Sequence, residues 1–191
     1  MLSDILHPGS PAGPSEALII ADETANPYNT ALDILNEAEH GPDSASILIT
    51  TCEDLGQQVK SLLPDLIAKL PPKRQEFCLA GFGKTGYGGI FIADNIEQAI
   101  DFANEYAVEH LLLKVKNTAE ILPKLCNVGE ILIGENTPIS LGNFGIGVNA
   151  ILPTGKHAKT YSATSIWDFL IRSTIAYADE DGLHKVGPSA K

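Results

Sequence analysis

A chain of 191 residues fits a single domain and is long enough to bury a core. Its formal charge of −11, from 24 acidic and 13 basic residues, argues against a nucleic-acid phosphate binder, which needs a basic face. No apolar run reaches the roughly 18 residues of a membrane span, so no membrane association is expected and the cytoplasm is the default location.

The opening MLSDILHPGSPAGPSE lacks the basic start and long apolar run of a signal peptide. Ala17-Leu18-Ile19-Ile20-Ala21 is a short apolar run suited to a buried strand. Ala31, Ile34, Leu35 and Ala38 predict a helix over Asn26 to Glu39, with Asn26 as N-cap and Pro27 at its first position. Ser46 to Thr50 reads as the next strand. A helix from about Glu53 to Lys69 carries Leu55, Val59, Leu62, Leu63, Leu66 and Ile67 at helical spacing; Pro64 inside it predicts a kink or a break. Gly89 to Ala93 is a third strand, and Asp94 or Asn95 can cap the helix that bears Ile96, Ala99, Ile100 and Ala103. Leu111 to Leu113 with Val115 form a fourth strand. Asn117 opens a helix through Ile121, Leu122 and Leu125, and Ile131 to Ile133 is a fifth strand.

This β-α-β-α rhythm, with strands apolar on both faces, predicts the α/β class: a parallel, helix-covered, incomplete Rossmann-like sheet. Thr137 to Thr160, rich in Gly, Pro, Asn and Thr, reads as a long loop region of the kind that often carries function. A last helix is expected over about Thr164 to Ala178, through Ile166, Trp167, Leu170, Ile171 and Ile175. The closing GLHKVGPSAK has no packing element of its own. The expected organisation is an α/β domain over 1–154 that carries the chemistry, then a C-terminal helix and tail over 155–191.

Gly81-Phe82-Gly83-Lys84-Thr85-Gly86 fits G-x-G-x-x-G letter for letter. The dinucleotide fingerprint needs a strand that feeds the glycines into a helix start, where N–H groups and dipole meet the pyrophosphate. Here the glycines lead into a strand instead, and a P-loop would need glycine where Cys78 stands. A turn-forming loop is the expectation.

Glu37 and His40 are three apart near the end of a predicted helix, so they share a face. Carboxylate and imidazole suit zinc or a similar divalent ion. A histidine at a helix C-terminus before Gly41-Pro42 is equally ordinary helix-ending chemistry. Glu109-His110 begins a strand. Neighbours in a strand point to opposite faces, so these two act together only at the strand's edge. There they offer two bases of different ordinary pKa; the plain alternative is a surface Glu beside a half-buried His. His7, His157 and His184 have no acidic or cysteine partner at ligand spacing and read as solvated. Ser15, in Ala12-Gly13-Pro14-Ser15-Glu16, has no adjacent base and no G-x-S-x-G elbow, which argues against a nucleophile. Asn143 and Asn149, among Gly142, Gly145 and Gly147, read as left-handed turn positions. Cys52, Cys78 and Cys126, odd in number and far apart, suggest buried reduced thiols.

Taken in order, Ala12-Gly13-Pro14-Ser15-Glu16, Ala38-Glu39-His40-Gly41-Pro42-Asp43-Ser44, Glu109-His110-Leu111 and Leu152-Pro153-Thr154-Gly155 resemble the histidinol dehydrogenase family. The likeness runs from about Pro11 to the end and corresponds to the C-terminal portion of a longer family member. That family oxidises an amino alcohol, L-histidinol, to an acid, L-histidine, in two NAD-dependent hydride transfers at a zinc site. The resemblance implies zinc and NAD as cofactors, a small-molecule alcohol as substrate, and a homodimer or an association with an N-terminal portion. It implies His110 as the base for the alcohol proton and Glu109 as the base that activates the water adding to the aldehyde. Glu37, His40 and Asn143 fall at zinc ligands, and Ser15, with these three and His110, at substrate contacts.

The departures are specific. The family usually has Gln at Glu37, Asp at Asn143 and His at Ala150, and its final ligand histidine falls beyond Lys191. One change adds the negative charge that another removes, which suggests a relative acting on a different alcohol. No cofactor-binding residue carries over, because the family's nicotinamide contacts lie mostly in its N-terminal half. The chain thus reads as a divergent paralogue or a truncated member. The alternative function is a catalytically inactive α/β fragment that serves as a binding or assembly module.

Overall fold

Five apolar runs form one parallel sheet: β1 (Glu16–Ala21), β2 (Ala45–Thr50), β3 (Gly88–Ile92), β4 (His110–Lys114) and β5 (Glu130–Ile133). The structure, a computed structural model, describes residues 9–190; His7 lies outside them. The strand order β3-β2-β1-β4-β5 reverses direction at β1, so β1 and β4, far apart in the chain, become neighbours. This is the order of the first five strands of the doubly wound folds. The expected α/β class and parallel sheet are therefore what the chain forms.

The strands are apolar on both faces because helices cover both. Ala17, Ile19, Leu48, Leu112 and Leu132 pack with Ile34 and Leu35 of α1 (Pro27–Ala38) and Val59 of α2 (Glu53–Ile67). Leu18, Ile20, Ile49, Leu111 and Leu113 pack on the other face with Ala99, Ile100 and Ala103 of α4 (Ile96–Tyr106). Each aliphatic side chain so buried contributes about 1.5–3 kcal/mol. The two long helices open as expected: the Asn26 side chain accepts from Asn29 N at 3.0 Å, and Asn95, rather than Asp94, accepts from Gln98 N at 3.0 Å.

Several local expectations are corrected. Pro64 does not break α2, which continues to Ile67, because buried Leu63, Leu66 and Ile67 anchor its last turn. The glycine-rich segment is not a loop. A helix the sequence pattern did not reveal, α3 (Pro72–Leu79), runs directly into a π-helical stretch over Ala80–Thr85, and Gly86 ends it at φ 70°. Phe82 from this stretch packs so closely on β3 that a Cβ at Gly88 would lie 2.5 Å from its ring. Those glycines thus admit an aromatic side chain and a wide helical turn. The helix opened by Asn117 is short: α5 (Thr118–Ile121) passes at once into a 3-10 turn over Leu122–Lys124. Within the long loop region lie α6 (Ile139–Phe144) and a 3-10 turn at His157–Lys159. Of the cysteines only Cys78 is buried; Cys52 is partly exposed and Cys126 exposed, though all three are free thiols.

The expected helix over 164–178 is absent. A single 3-10 turn, Ile166–Phe169, forms behind a Ser165–Asp168 capping box, and the remainder is irregular. Beyond Thr154 no described residue is buried, and Ile171 is 97% exposed. Apolar spacing makes a helix only where a surface receives it, since short helices are marginal alone. The helix that does form here, α7 (Glu180–Val186), lies in the tail expected to lack one. Asp179 caps it, with Glu180 and Asp181 in its first turn and His184 and Lys185 in its last. Among the described residues no helix is long and apolar enough to cross a membrane.

At the C-terminal end of the sheet a buried lysine holds three elements together. Lys114 Nζ lies 2.5 Å from Asp33 of α1 and 3.4 Å from Glu135, and Glu135 also accepts from Asn26 N at 3.0 Å. At the opposite end β5 is drawn tightly to β4, with Gly129 N donating to Val108 O at 3.0 Å and Glu130 N to Glu109 O at 2.9 Å. A Cβ at Gly129 would stand 2.7 Å from the Glu109 carbonyl oxygen. Both groups are backbone, so the clash cannot be relieved by a rotamer change. Gly129→Ala is expected to destabilise the fold by about 1–3 kcal/mol, measured by denaturant unfolding; unchanged stability would show that β5 can slide.

Candidate active site

In a β-α-β unit the helix runs antiparallel to its strands, so the end of α1 returns to the N-terminal edge of the sheet. Glu37 is therefore delivered to the edge where β1, β4 and β5 begin with Ser15-Glu16, Glu109-His110 and Glu130. In register, Ala17 pairs with His110, and His110 with Glu130. These residues share a sheet face, the one covered by α1, because Leu112 and Leu132 two positions on belong to that core.

His110 is the centre of the cluster, 4% exposed. Its Nδ1 lies 2.7 Å from Glu130 Oε2, and its Nε2 lies 3.6 Å from Glu109 Oε1. The other Glu109 oxygen, Oε2, accepts from Glu16 N at 3.0 Å. Glu37 is 1% exposed, and the Ser15 side chain lies near enough to it to favour its charged form. Glu16 Oε1 accepts from Gly155 N at 3.1 Å, which ties the Leu152-Pro153-Thr154-Gly155 segment to the start of β1. Ser15, Glu37, Glu109 and His110 are thus brought together.

His40 and Asn143 sit at the margin. His40 is half exposed just past α1, with Nδ1 2.7 Å from Asn36 O and 3.9 Å from Glu37 Oε1. Asn143, on α6, is half-buried, and its Oδ1 has no hydrogen-bond partner. Glu37 and His40 are donors of the type zinc takes, whereas the unpartnered Asn143 oxygen is a neutral amide donor, weaker for zinc than a carboxylate. Among the described residues no three His, Cys, Asp or Glu side chains group closely enough to hold a metal by themselves. His157 is exposed, edge-on to Tyr161, and His184 is exposed beside Glu180 at 4.0 Å, an acidic neighbour the spacing argument passed over.

Two members of the cluster escaped sequence reasoning: Glu16 and Glu130. Each is a lone acid at the start of an apolar run, with no motif of its own. Only strand pairing shows that they meet His110 and Glu109.

Burial shapes the electrostatics. It raises the carboxyl pKa values of Glu37, Glu109 and Glu16, against the opposing pull of nearby histidine charge on the first two and of backbone N–H groups on Glu109 and Glu16. For His110 burial works the other way, toward the neutral form. The hydrogen bond to Glu130 and the charges of Glu109, Glu37 and Glu130 outweigh it, and the pKa is raised.

A family model described as histidinol dehydrogenase matches residues 2–191. A histidinol dehydrogenase from Synechocystis sp. is 48% identical over 182 residues, which is 95% of this chain and 42% of that protein. The chain belongs to the histidinol dehydrogenase family. A histidinol dehydrogenase homolog from Colwellia psychrerythraea is 45% identical over 98% of the chain and 42% of its own length. The crystal structure of histidinol dehydrogenase from Elizabethkingia anophelis superposes with a TM-score of 0.87 at 37% identity, covering 94% of this chain and 40% of that one. The chain thus spans about two fifths of the length of the family members it matches.

The raised pKa values have one sign. For Glu16, Glu37, Glu109 and His110 the folded state binds the proton more tightly than the unfolded chain does. Stability from these groups is full below their unfolded values, 4.5 for Glu and 6.5 for His, and is lost as pH rises through the folded values. As pH rises above the ordinary histidine value of 6.5, the thermal midpoint is expected to fall, and to fall less in His110→Gln. Parallel pH profiles for the two proteins would refute this.

Proposed function

We propose that this chain carries the catalytic bases of a histidinol-dehydrogenase-like oxidoreductase, which oxidises a small alcohol with NAD at a zinc-dependent site. The observation that supports it most is the buried approach of Glu109 to His110, beside Glu37 and Ser15, at one edge of the sheet. Family membership supplies the reaction class. The exchange of the family's Gln for Glu37 and of its Asp for Asn143 redistributes charge around the substrate, which favours an alcohol other than histidinol.

His110 takes the hydroxyl proton at Nε2, the nitrogen turned away from Glu130. As that proton leaves, the O–H electrons form the carbonyl and a hydride leaves carbon, for which NAD would be the acceptor. Glu37, His40 and Asn143 are the donors this chain would offer to a zinc ion, which would supply Lewis-acid polarisation of the alcohol oxygen once further donors complete its shell. In the second oxidation Glu109 accepts a proton from the water that adds to the aldehyde. Burial makes it a stronger base than an ordinary carboxylate. His110 serves as a base only when neutral, so turnover rises with pH through its raised pKa.

Trp167, Phe169, Ile171 and Ile175 are more than half exposed and form an unpartnered apolar arm. A second copy of the chain, or an N-terminal portion of the kind the longer relatives carry, is the partner this reading requires. The cytoplasm suits a reaction on a free alcohol with NAD.

The test is metal analysis and alcohol-dependent NADH formation, for the chain alone and joined to an N-terminal portion from a relative. The joined protein is expected to hold zinc and turn over. His110→Ala should lose at least about 100-fold in rate, and Glu37→Gln should weaken zinc binding on the order of tenfold. No metal and no turnover in the joined protein would favour the second reading, an inactive binding or assembly module. The lack of a three-ligand group among the described residues is the observation on that side.

A further inference from the structure

Glu130 has no part in the chemistry so far, yet it is the residue His110 touches most closely. The two open neighbouring strands as register partners, and their side chains are 6% and 5% exposed. The contact is 2.7 Å, from Glu130 Oε2 to His110 Nδ1. A carboxylate accepts and does not donate, so Nδ1 carries the hydrogen. Nε2 is then left free, because its nearest acid, Glu109 Oε1, lies at 3.6 Å, beyond a hydrogen bond.

The placement of Glu130 is not what packing alone selects. Two residues on, the same face of β4 and β5 carries Leu112 and Leu132, both in the core. An aliphatic side chain would fill the Glu130 position without desolvating a carboxyl group, whose other oxygen, Oε1, is buried with no partner. Room for that oxygen comes from Gly142, where a Cβ would stand 3.2 Å from it and 2.9 Å from Leu132. An unsatisfied buried oxygen kept beside a histidine at the rim of a candidate site points to a role in that site.

We propose that Glu130 is a positioning residue, whose carboxylate holds His110 by its Nδ1–H and so fixes the tautomer and ring angle that present Nε2 to the substrate. When Nε2 takes the alcohol proton, the imidazolium keeps its Nδ1–H bonded to Glu130, and no proton passes to the carboxylate. His110 then has two acidic neighbours with separate tasks: Glu130 orients it, and Glu109 faces the reacting atoms.

The proposal rests on the reading of His110 as the base, and its test is chosen to stand apart from turnover. In the chain labelled with 15N-histidine, two-bond proton–nitrogen correlations report which ring nitrogen is protonated, and His110→Gln assigns the signals. Neutral His110 is expected as the Nδ1–H tautomer with a strongly downfield Nδ1 proton. Glu130→Gln, which keeps shape and an acceptor oxygen, should retain the tautomer and lose most of the downfield shift. Glu130→Ala should move the ring toward the Nε2–H form. A wild-type Nε2–H tautomer, or a Glu130→Gln spectrum identical to wild type with circular dichroism unchanged, overturns the proposal even if Glu130→Ala fails to fold. In the joined, active protein, Glu130→Gln should lower kcat about 10- to 100-fold with KM nearly constant. An equal rise in KM with kcat unchanged also overturns it. Inactivity of every protein, wild type included, counts against the proposed function and leaves the tautomer result to decide this one.

Discussion

Because β1 and β4 run parallel and in register, Ala17 is set beside His110, and two segments more than ninety residues apart reach the same edge of the sheet together. The rest of the site follows from that pairing. A strand that starts at this edge must send its helix away from the far edge and back, so α1 returns Glu37 to the place where β1 began. β5 joins β4 on the other side and brings Glu130 against the same histidine. The site therefore lies at the N-terminal ends of the strands. Doubly wound sheets usually bind ligands beyond the C-terminal ends, and here that end carries the buried Lys114–Asp33 pair.

Much of this organisation is written in apolar spacing. The strands were legible to within a residue or two because a run such as Leu111-Leu112-Leu113 has only one cheap place to go, a sheet covered on both faces. Asn26 and Asn95 announced their helices because a side-chain oxygen before an apolar periodic stretch has a definite task. What failed was what depends on a distant surface. Ile166, Trp167, Leu170 and Ile171 have helical spacing and no surface to pack on, so no helix forms. The polar run Lys73-Arg74-Gln75-Glu76 hides α3, while Arg74 pairs with Glu39 at 2.6 Å across to the end of α1. Glu16 and Glu130 had no signature, since their meaning lies in which strand starts beside which.

The acids around His110 carry a tension that the fold manages locally. Glu37, Glu109 and Glu130 gather around one histidine, with Glu16 against Glu109, and like charges at low dielectric repel. Backbone donors absorb part of this, Glu16 N for Glu109 and Gly155 N for Glu16. Glu130, Glu109 and Glu37 raise the His110 pKa. One oxygen each of Glu16 and Glu130 stays buried without a hydrogen-bond partner.

The lysine at the far end of the sheet acts on the site without touching it. Asp33, which Lys114 grips, and Glu37 lie four residues apart on α1, on one stripe of the helix about 6 Å apart along its axis. A helix packed only by aliphatic contacts can roll slightly about its long axis. With Asp33 pinned to β4, α1 is keyed at a single azimuth, as a shaft is keyed to its hub. The direction in which Glu37 points is therefore set one helical turn away, by an ion pair outside the His110 cluster.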